Sequence, residues 1–330
     1  MTSRSLNIFE ETFPLKVPFR IARGVKREAR LVRVEIEQGG KTGEGECCPY
    51  GRYGEDVKTV QAAIQTLGPE IEKGLSREDL QTRLPPGAAR NALDCALWDI
   101  EAKLKGVAVS ALIDMSAPEP FTTLRTLGID TPPKMAEAAK TFAPGTPLKV
   151  KLDMQDVGTR LHAIRTTSPM SQIVVDANES WTPDFLEEYF PILKHLGVVL
   201  LEQPFPAGDD NALLELEHII PVCADEACHI AADLPGLAGR YDVVNIKLDK
   251  AGGLTGALEL FTHARRDGFG IMLGCMVSSS LSIAPLQLLC SDADFIDLDA
   301  PLFLKQDRAG GMAEVAATNK VELNAGWGRP

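Results

Sequence analysis

Apolar and polar positions alternate along the first fifty residues. Residues 6–15 and 31–38 carry the period of strands that keep one face wet. Gly39-Gly40 predicts a hairpin turn, and residues 42–47 a third strand returning from it. The period then lengthens. Residues 57–73 place Val60, Ile64 and Leu67 on one side, and residues 88–105 do the same with Leu93, Leu97, Ile100 and Leu104. Steps of three and four residues define one face of a helix, so two amphipathic helices are expected here. Pro85-Pro86-Gly87 stands just ahead of the second, where proline is tolerated.

From about residue 120 short apolar runs alternate with helical stretches. The runs are 124–129, 148–152, 172–175, 198–201, 221–224, 243–248, 271–273 and 295–298. Runs that are apolar on both sides, separated by helices, predict parallel strands covered on both faces. Eight such units suit a (β/α)8 barrel of the TIM type, compact beside the usual ~250 residues. A doubly wound sheet is the alternative, and it rarely runs to eight such regular units. The expected organisation is an α/β chain: an α+β capping domain over 1–118, completed by the C-terminal segment 305–330, and a barrel over 119–304.

Composition narrows the function classes. Of 330 residues 45% are hydrophobic and 24% charged, with a net charge of −12, so a core is affordable and a nucleic-acid surface is not expected. No apolar run has the length of a membrane span, and residues 1–9 carry no export-type apolar stretch. Seven cysteines, two of them adjacent at Cys47 and Cys48, do not form a disulfide framework. Reduced thiols in a cytoplasm are expected.

The chemistry lies where the apolar runs end. Thr126, Lys151, Asp176, Glu202, Asp225, Lys247 and Cys275 close successive runs, followed by Asp297 and Asp299 on the last. A barrel gathers the carboxyl ends of its strands around one mouth, so residues some 25 positions apart converge. Asp176, Glu202 and Asp225 then form a hard-oxygen set suited to one Mg²⁺ per site. A single aspartate at a strand end is as readily the N-cap of the next helix. Three on consecutive strands, flanked by Lys151 and Lys247, are not explained that way. Lys149 and Lys151 lie on one face of their strand. At ~4 Å two ammonium groups repel by about 4 kcal/mol at an effective dielectric of 20, which would help keep Lys151 neutral enough to act as a base. Lys151 and Lys247 are expected on opposite sides of a metal-bound ligand. All five histidines fall outside strand ends, which argues against a metal-dependent hydrolase.

These residues resemble the enolase superfamily, muconate lactonizing subgroup, and within it the dipeptide epimerases. The matching stretches are Leu148-Lys149-Val150-Lys151-Leu152-Asp153, Val175-Asp176-Ala177-Asn178-Glu179-Ser180-Trp181, Leu201-Glu202-Gln203-Pro204, Ala224-Asp225-Glu226 and Asn245-Ile246-Lys247-Leu248-Asp249-Lys250-Ala251-Gly252-Gly253-Leu254. Residues 18–24 and 48–55 are similar to the subgroup's two capping loops. The resemblance implies a Mg²⁺-dependent isomerase that inverts the α-carbon of a dipeptide's C-terminal residue by two-base 1,1-proton transfer through an enediolate. It implies Asp176, Glu202 and Asp225 as metal ligands and Lys151 and Lys247 as acid/base catalysts. Thr126, Lys149, Cys275 and Met276 would contact the substrate, Arg23 would take its side-chain carboxylate, and Asp297 and Asp299 its ammonium group. The expected partner is a small dipeptide, with neither nucleic acid nor membrane, and assembly into a homo-oligomer is compatible with the chain. A cycloisomerase or syn-dehydratase would use the same metal and lysines and stays open, as does a non-catalytic binding protein built on a barrel.

Overall fold

The computed structural model describes residues 4–21, 24–324 and 326–330. The chain opens with a three-stranded antiparallel sheet, β1 (Ser5–Ile21), β2 (Gly24–Gln38) and β3 (Lys41–Cys47), joined at its second hairpin by Gly39-Gly40. Helices α1 (Val57–Thr66), α2 (Gly68–Glu72), α3 (Arg77–Arg83) and α4 (Ala88–Lys105) follow. Their apolar faces meet Val32, Val34 and Ile36 of the sheet in one fully buried core. The single helix expected over 57–73 is two. Pro69 has no N–H to continue the ladder, so α1 ends and α2 restarts with proline in its first turn.

A short helix α5 (Val109–Leu112) and strand β4 (Phe121–Thr122) lead into an eight-stranded parallel sheet. Its strands are β5 (Arg125–Leu127), β6 (Leu148–Lys151), β7 (Ile173–Asp176), β8 (Val198–Glu202), β9 (Val222–Ala224), β10 (Val243–Ile246), β11 (Gly270–Gly274) and β12 (Phe295–Asp297), paired in sequence order. The ring closes where Leu124 N–H donates to Ile296 O at 2.7 Å and Leu298 N–H donates to Thr123 Oγ1 at 2.9 Å. Helices α6 (Pro132–Lys140), α7 (Val157–Thr167) and α8 (Pro183–His195) cover the first three crossovers. Between β8 and β10 the covers shrink to 3-10 turns and the four-residue α9 (Leu234–Leu237), which accounts for the compactness of the repeat. After β10 come α10 (Leu248–Ala251) and α11 (Leu254–Arg266), and after β11 α12 (Ser280–Ile283). The tail adds β13 (Ala313–Glu314) and β14 (Lys320–Glu322); β13 pairs with β14, and β14 with β4. Before it reaches them it passes the N-terminal sheet, where Lys305 N–H donates to Pro14 O and Arg308 pairs with Glu11 and buried Glu46.

The alternation of strand side chains explains where the chemistry falls. Val174, Leu200, Cys223, Val243 and Met272 fill the barrel interior as one apolar layer. Two residues further along each strand, on the same inward face, stand Asp176, Glu202, Asp225, Asn245 and Gly274. One apolar layer thus floors the polar one.

Helix α4 docks the N-terminal unit on the barrel. Arg90 donates to Ala251 O at 2.7 Å and Gly252 O at 3.2 Å, Asn91 to Asp249 Oδ1 at 2.9 Å, and Asp94 accepts from Thr255 N–H and Oγ1. Gly252 and Gly253 have φ of +76° and +105°. A Cβ at either would stand 2.3 Å from Arg90 or 2.5 Å from Asp94, so the turn after Lys247 admits only glycine. Among the described residues no helix is long and apolar enough to cross a membrane.

Candidate active site

Five adjacent strands carry the central residues in the order Lys151, Asp176, Glu202, Asp225, Lys247. Lys151 pairs in register with Asp176, and Asp176 with Glu202. Asp225 and Lys247 sit just beyond the ends of β9 and β10. All five side chains are buried. Lys151 Nζ lies 2.5 Å from Asp176 Oδ2, and Lys247 Nζ 2.6 Å from Asp225 Oδ2. Asn245 donates to Glu202 Oε1 at 2.9 Å.

Lys149 is the hub. Its ammonium stands 2.6 Å from Glu202 Oε2, 2.6 Å from Asp297 Oδ2 and 3.1 Å from Asp176 Oδ2. The Glu202 contact is a close ion pair without hydrogen-bond geometry, since Oε2 accepts no aligned donor. Burial works against the charge of Lys149, but Asp297, Glu202 and Asp176 more than offset it and hold its pKa well above the usual lysine value. The field at Lys149 is set by three carboxylates, and the ammonium groups of Lys149 and Lys151 share Asp176.

The carboxylates divide by their surroundings. Burial alone would raise all three, yet Lys151 and Lys149 hold Asp176 below the ordinary range, and Lys247 and Lys250 do the same for Asp225. Glu202 goes the other way, to about 8, through burial and the negative charge of Asp176 and Asp225. Among the described residues the three are not drawn into a ready coordination shell; each is engaged by an ammonium group instead. The donor set nonetheless suits a hard dication. It is all oxygen and wholly buried, and its middle member, Glu202, stands between two carboxylates whose negative charge a cation would offset.

The other expected residues lie as follows. Thr126 on β5 donates its N–H to Asp299 Oδ2 at 2.7 Å and its hydroxyl to Oδ1 at 3.2 Å. The last strand ends at Asp297, so Asp299 stands in the following turn instead of on the strand. Burial and the charge of Asp297 push its carboxyl up to about 7. Cys275 Sγ lies 3.3 Å from Asp297 O, and Met276 packs with Leu15, Leu31 and Leu304 where the N-terminal sheet meets the barrel. Arg23 lies outside the described residues. Arg20, the penultimate residue of β1, is exposed.

Several contributors are not singled out by the sequence reading. Gln203, at φ +37°, accepts from Asp225 N–H and Ala227 N–H and so shapes the loop bearing Asp225. Lys250 bonds Asp225 Oδ1, Asp225 O and Asn245 O. The motif stretches containing both were the available signal. Over the mouth, Lys26, Tyr50 and Tyr53 from the N-terminal unit close a narrow cavity of about 70 Å³ above Lys151, Asp225 and Lys247. The tyrosines meet edge to face, and Tyr53 meets His229 in the same way at 4.5 Å. Larger cavities, such as one of about 350 Å³ around Trp327, lie away from every charged group of the mouth.

A closed eight-stranded parallel barrel with carboxylates and lysines on its inner rim, under a separate α+β cap, defines a (β/α)8 enzyme-type architecture. The chain belongs to the mandelate racemase/muconate lactonizing enzyme family of the enolase superfamily. The family model for the "Mandelate racemase / muconate lactonizing enzyme, N-terminal domain" matches residues 3–114, and "Enolase C-terminal domain-like" matches residues 134–326. The chain is 50% identical over 306 residues to the L-Ala-D/L-Glu epimerase of Escherichia coli K12, covering 92% of this chain and 95% of that one. It is 48% identical over 270 residues to an N-acetyl-D-glutamate racemase of a Pseudoalteromonas species, covering 81% and 85%. A dipeptide epimerase of Enterococcus faecalis V583, solved with Mg and L-Leu-L-Tyr, superposes with a TM-score of 0.90 at 28% identity over 99% of both chains.

Proposed function

We propose that this chain is an isomerase that inverts the α-carbon of the glutamyl residue in L-Ala-L-Glu and its D-Glu epimer. The observation that carries the reading is the unbroken order lysine, three carboxylates, lysine across five adjacent strands of one barrel. Asp176, Glu202 and Asp225 would hold Mg²⁺. Bound there, the cation offsets the charge that proton removal delivers to the substrate carboxylate. Lys149, kept charged by its carboxylate neighbours, adds a second positive group on that side. Lys151 and Lys247 stand at the two ends of the carboxylate row, so one serves each face of the α-carbon. A proton taken by one and returned by the other inverts the centre. Asp297 and Asp299 receive the ammonium group of the first residue, and Thr126 orients Asp299. Seven free cysteines, six of them buried, fit a reducing cytoplasm.

Cycloisomerase and dehydratase substrates give the acidic pair no ammonium to hold, and the similar proteins above are an epimerase and a racemase. A second substrate reading has specific support. An alanyl group and an acetyl group both acylate the glutamate nitrogen, and a relative nearly as similar is an N-acetyl-D-glutamate racemase. Asp297 Oδ2 already meets Lys149 and both oxygens of Asp299 accept from Thr126, so an uncharged acyl group leaves only the buried Asp297 Oδ1 without a donor. The two readings part on kcat/KM for L-Ala-L-Glu against N-acetyl-L-glutamate, followed by α-deuterium incorporation in D2O. The dipeptide should win by two orders of magnitude or more, because a site built for a charged group discriminates against its loss by up to roughly 10⁴. Equal or reversed preference would remove the acidic pair from ammonium binding and favour the acetyl substrate.

A further inference from the structure

Arg52 lies at the outer edge of the cap, in the short 3-10 turn Gly51–Tyr53. Its guanidinium forms a two-pronged bridge to Glu179, with Nε to Oε2 at 3.0 Å and Nη2 to Oε1 at 2.9 Å. Glu179 belongs to the barrel, three residues past Asp176. Its side chain is only 8% exposed, and Oε1 also accepts from Ala207 N–H at 2.9 Å, so the carboxylate is fixed from both sides. An exposed ion pair contributes little, but a bidentate one on a carboxylate already held in place loses less freedom on forming.

What this bridge joins matters. On the barrel side, Asn178 and Glu179 both adopt left-handed backbone, with φ of +46° and +66°. Asn178 N–H donates to Asp176 Oδ1 at 2.8 Å, and Glu179 N–H to Gln203 O at 2.9 Å. Non-glycine residues hold that conformation only when their surroundings determine it. On the cap side, the residues flanking Arg52 are those that roof the cavity. Tyr53 follows it directly, and Tyr50 N–H donates to Glu55 Oε2 at 3.4 Å, while Glu55 Oε1 caps α4 by accepting from Ala88 N–H at 2.8 Å. The roof segment is thus pinned at Cys48 by Asp249 and at Tyr53 by His229, and Arg52 ties it to the loop that carries Asp176.

We infer that Arg52 and Glu179 are a positioning pair that holds the tyrosine roof closed over the carboxylate row, and so sets how readily the site accepts substrate. Neither touches the reacting atoms. With the bridge broken the roof spends part of its time displaced, and binding must first reorder it. That lowers apparent affinity while leaving the bound complex, and therefore turnover, nearly unchanged. The kinetic readout rests on the function proposed above; the structural one does not.

The test uses the full-length protein with Mg²⁺ and three variants: Arg52→Met, Glu179→Gln and the double substitution. Each single change should raise KM for L-Ala-L-Glu about tenfold with kcat within about threefold, and the double should be no worse than the worse single, because both remove one interaction. Arg52→Lys should recover part of the loss, since it restores charge but not the two-pronged geometry. Amide hydrogen exchange over residues 50–55 should speed up in Arg52→Met while the thermal midpoint stays close to that of the parent. Unchanged KM and exchange, effects that multiply in the double variant, or a midpoint that falls in step with KM would each overturn the inference. If the parent protein turns over no N-acyl glutamate, the function proposal fails, and exchange at residues 50–55 alone decides the roof.

Discussion

Asp249 is a buried carboxyl whose charged form the fold does little to support. It is 4% exposed, accepts from Cys48 N–H and Asn91 Nδ2, and makes no ion pair among the described residues. Burial, with smaller contributions from the negative charges of Glu55 and Glu46, pushes its carboxyl up to about 7 against an ordinary 3.8. The folded state therefore holds a proton that the unfolded chain releases throughout the interval between those values. Stability from this group is complete below pH 3.8, declines as pH rises, and is gone above about pH 7. At 1.36 kcal/mol per unit, the loss between pH 5 and pH 8 is about 2.5 kcal/mol. Asp249→Asn keeps a carbonyl oxygen for both donors and cannot ionise. Urea unfolding of parent and variant at the two pH values isolates the effect, because every other titrating group cancels in the difference. The variant should gain about 2.5 kcal/mol relative to the parent on going from pH 5 to pH 8. A difference that does not change with pH would refute the argument and mean that Asp249 stays ionised in the fold.

Two further outcomes test other parts of the account. Gly252→Ala should cost about 3 kcal/mol in urea unfolding, from a left-handed backbone and a forced shift of Arg90, whereas Gly40→Ala, at φ +74° with nothing within 4 Å, should cost only about 1 kcal/mol. Equal costs would mean that α4 does not press on the turn. Addition of Mg²⁺ should raise the thermal midpoint and a chelator should reverse the rise, since an ion that binds only the folded state stabilises it by mass action. Asp225→Asn should blunt that response, and a midpoint indifferent to Mg²⁺ in the parent would count against the ligand set.

The barrel and its rim were legible because both follow from local rules. Runs apolar on both faces mark covered parallel strands, and the polar residue that ends each run is brought to the mouth by the strand direction alone. Even the floor beneath it was implicit: Val174 and Asp176, or Leu200 and Glu202, share an inward face by alternation. What stayed hidden depends on contacts through space. Nothing in the spacing of Arg52 and Glu179, 127 residues apart, announces a bridge. The field at Lys149 required knowing that Asp297, from the far end of the chain, comes within 2.6 Å of it. Asp299 was misplaced on a strand because one residue of turn geometry decides where β12 stops. The break between α1 and α2 was readable at Pro69, but the apolar period runs through it undisturbed.

The central claim is that two lysines serve opposite faces of one carbon, and stereospecific proton exchange tests it most directly. Lys151→Ala and Lys247→Ala should each lose epimerisation, by a factor on the order of 10²–10⁴ or more. Incubated with L-Ala-L-Glu and L-Ala-D-Glu in D2O, each variant should still exchange the α-proton of one epimer, and the two variants should retain opposite ones. Exchange of the same epimer by both, or epimerisation that survives either substitution, would contradict the account.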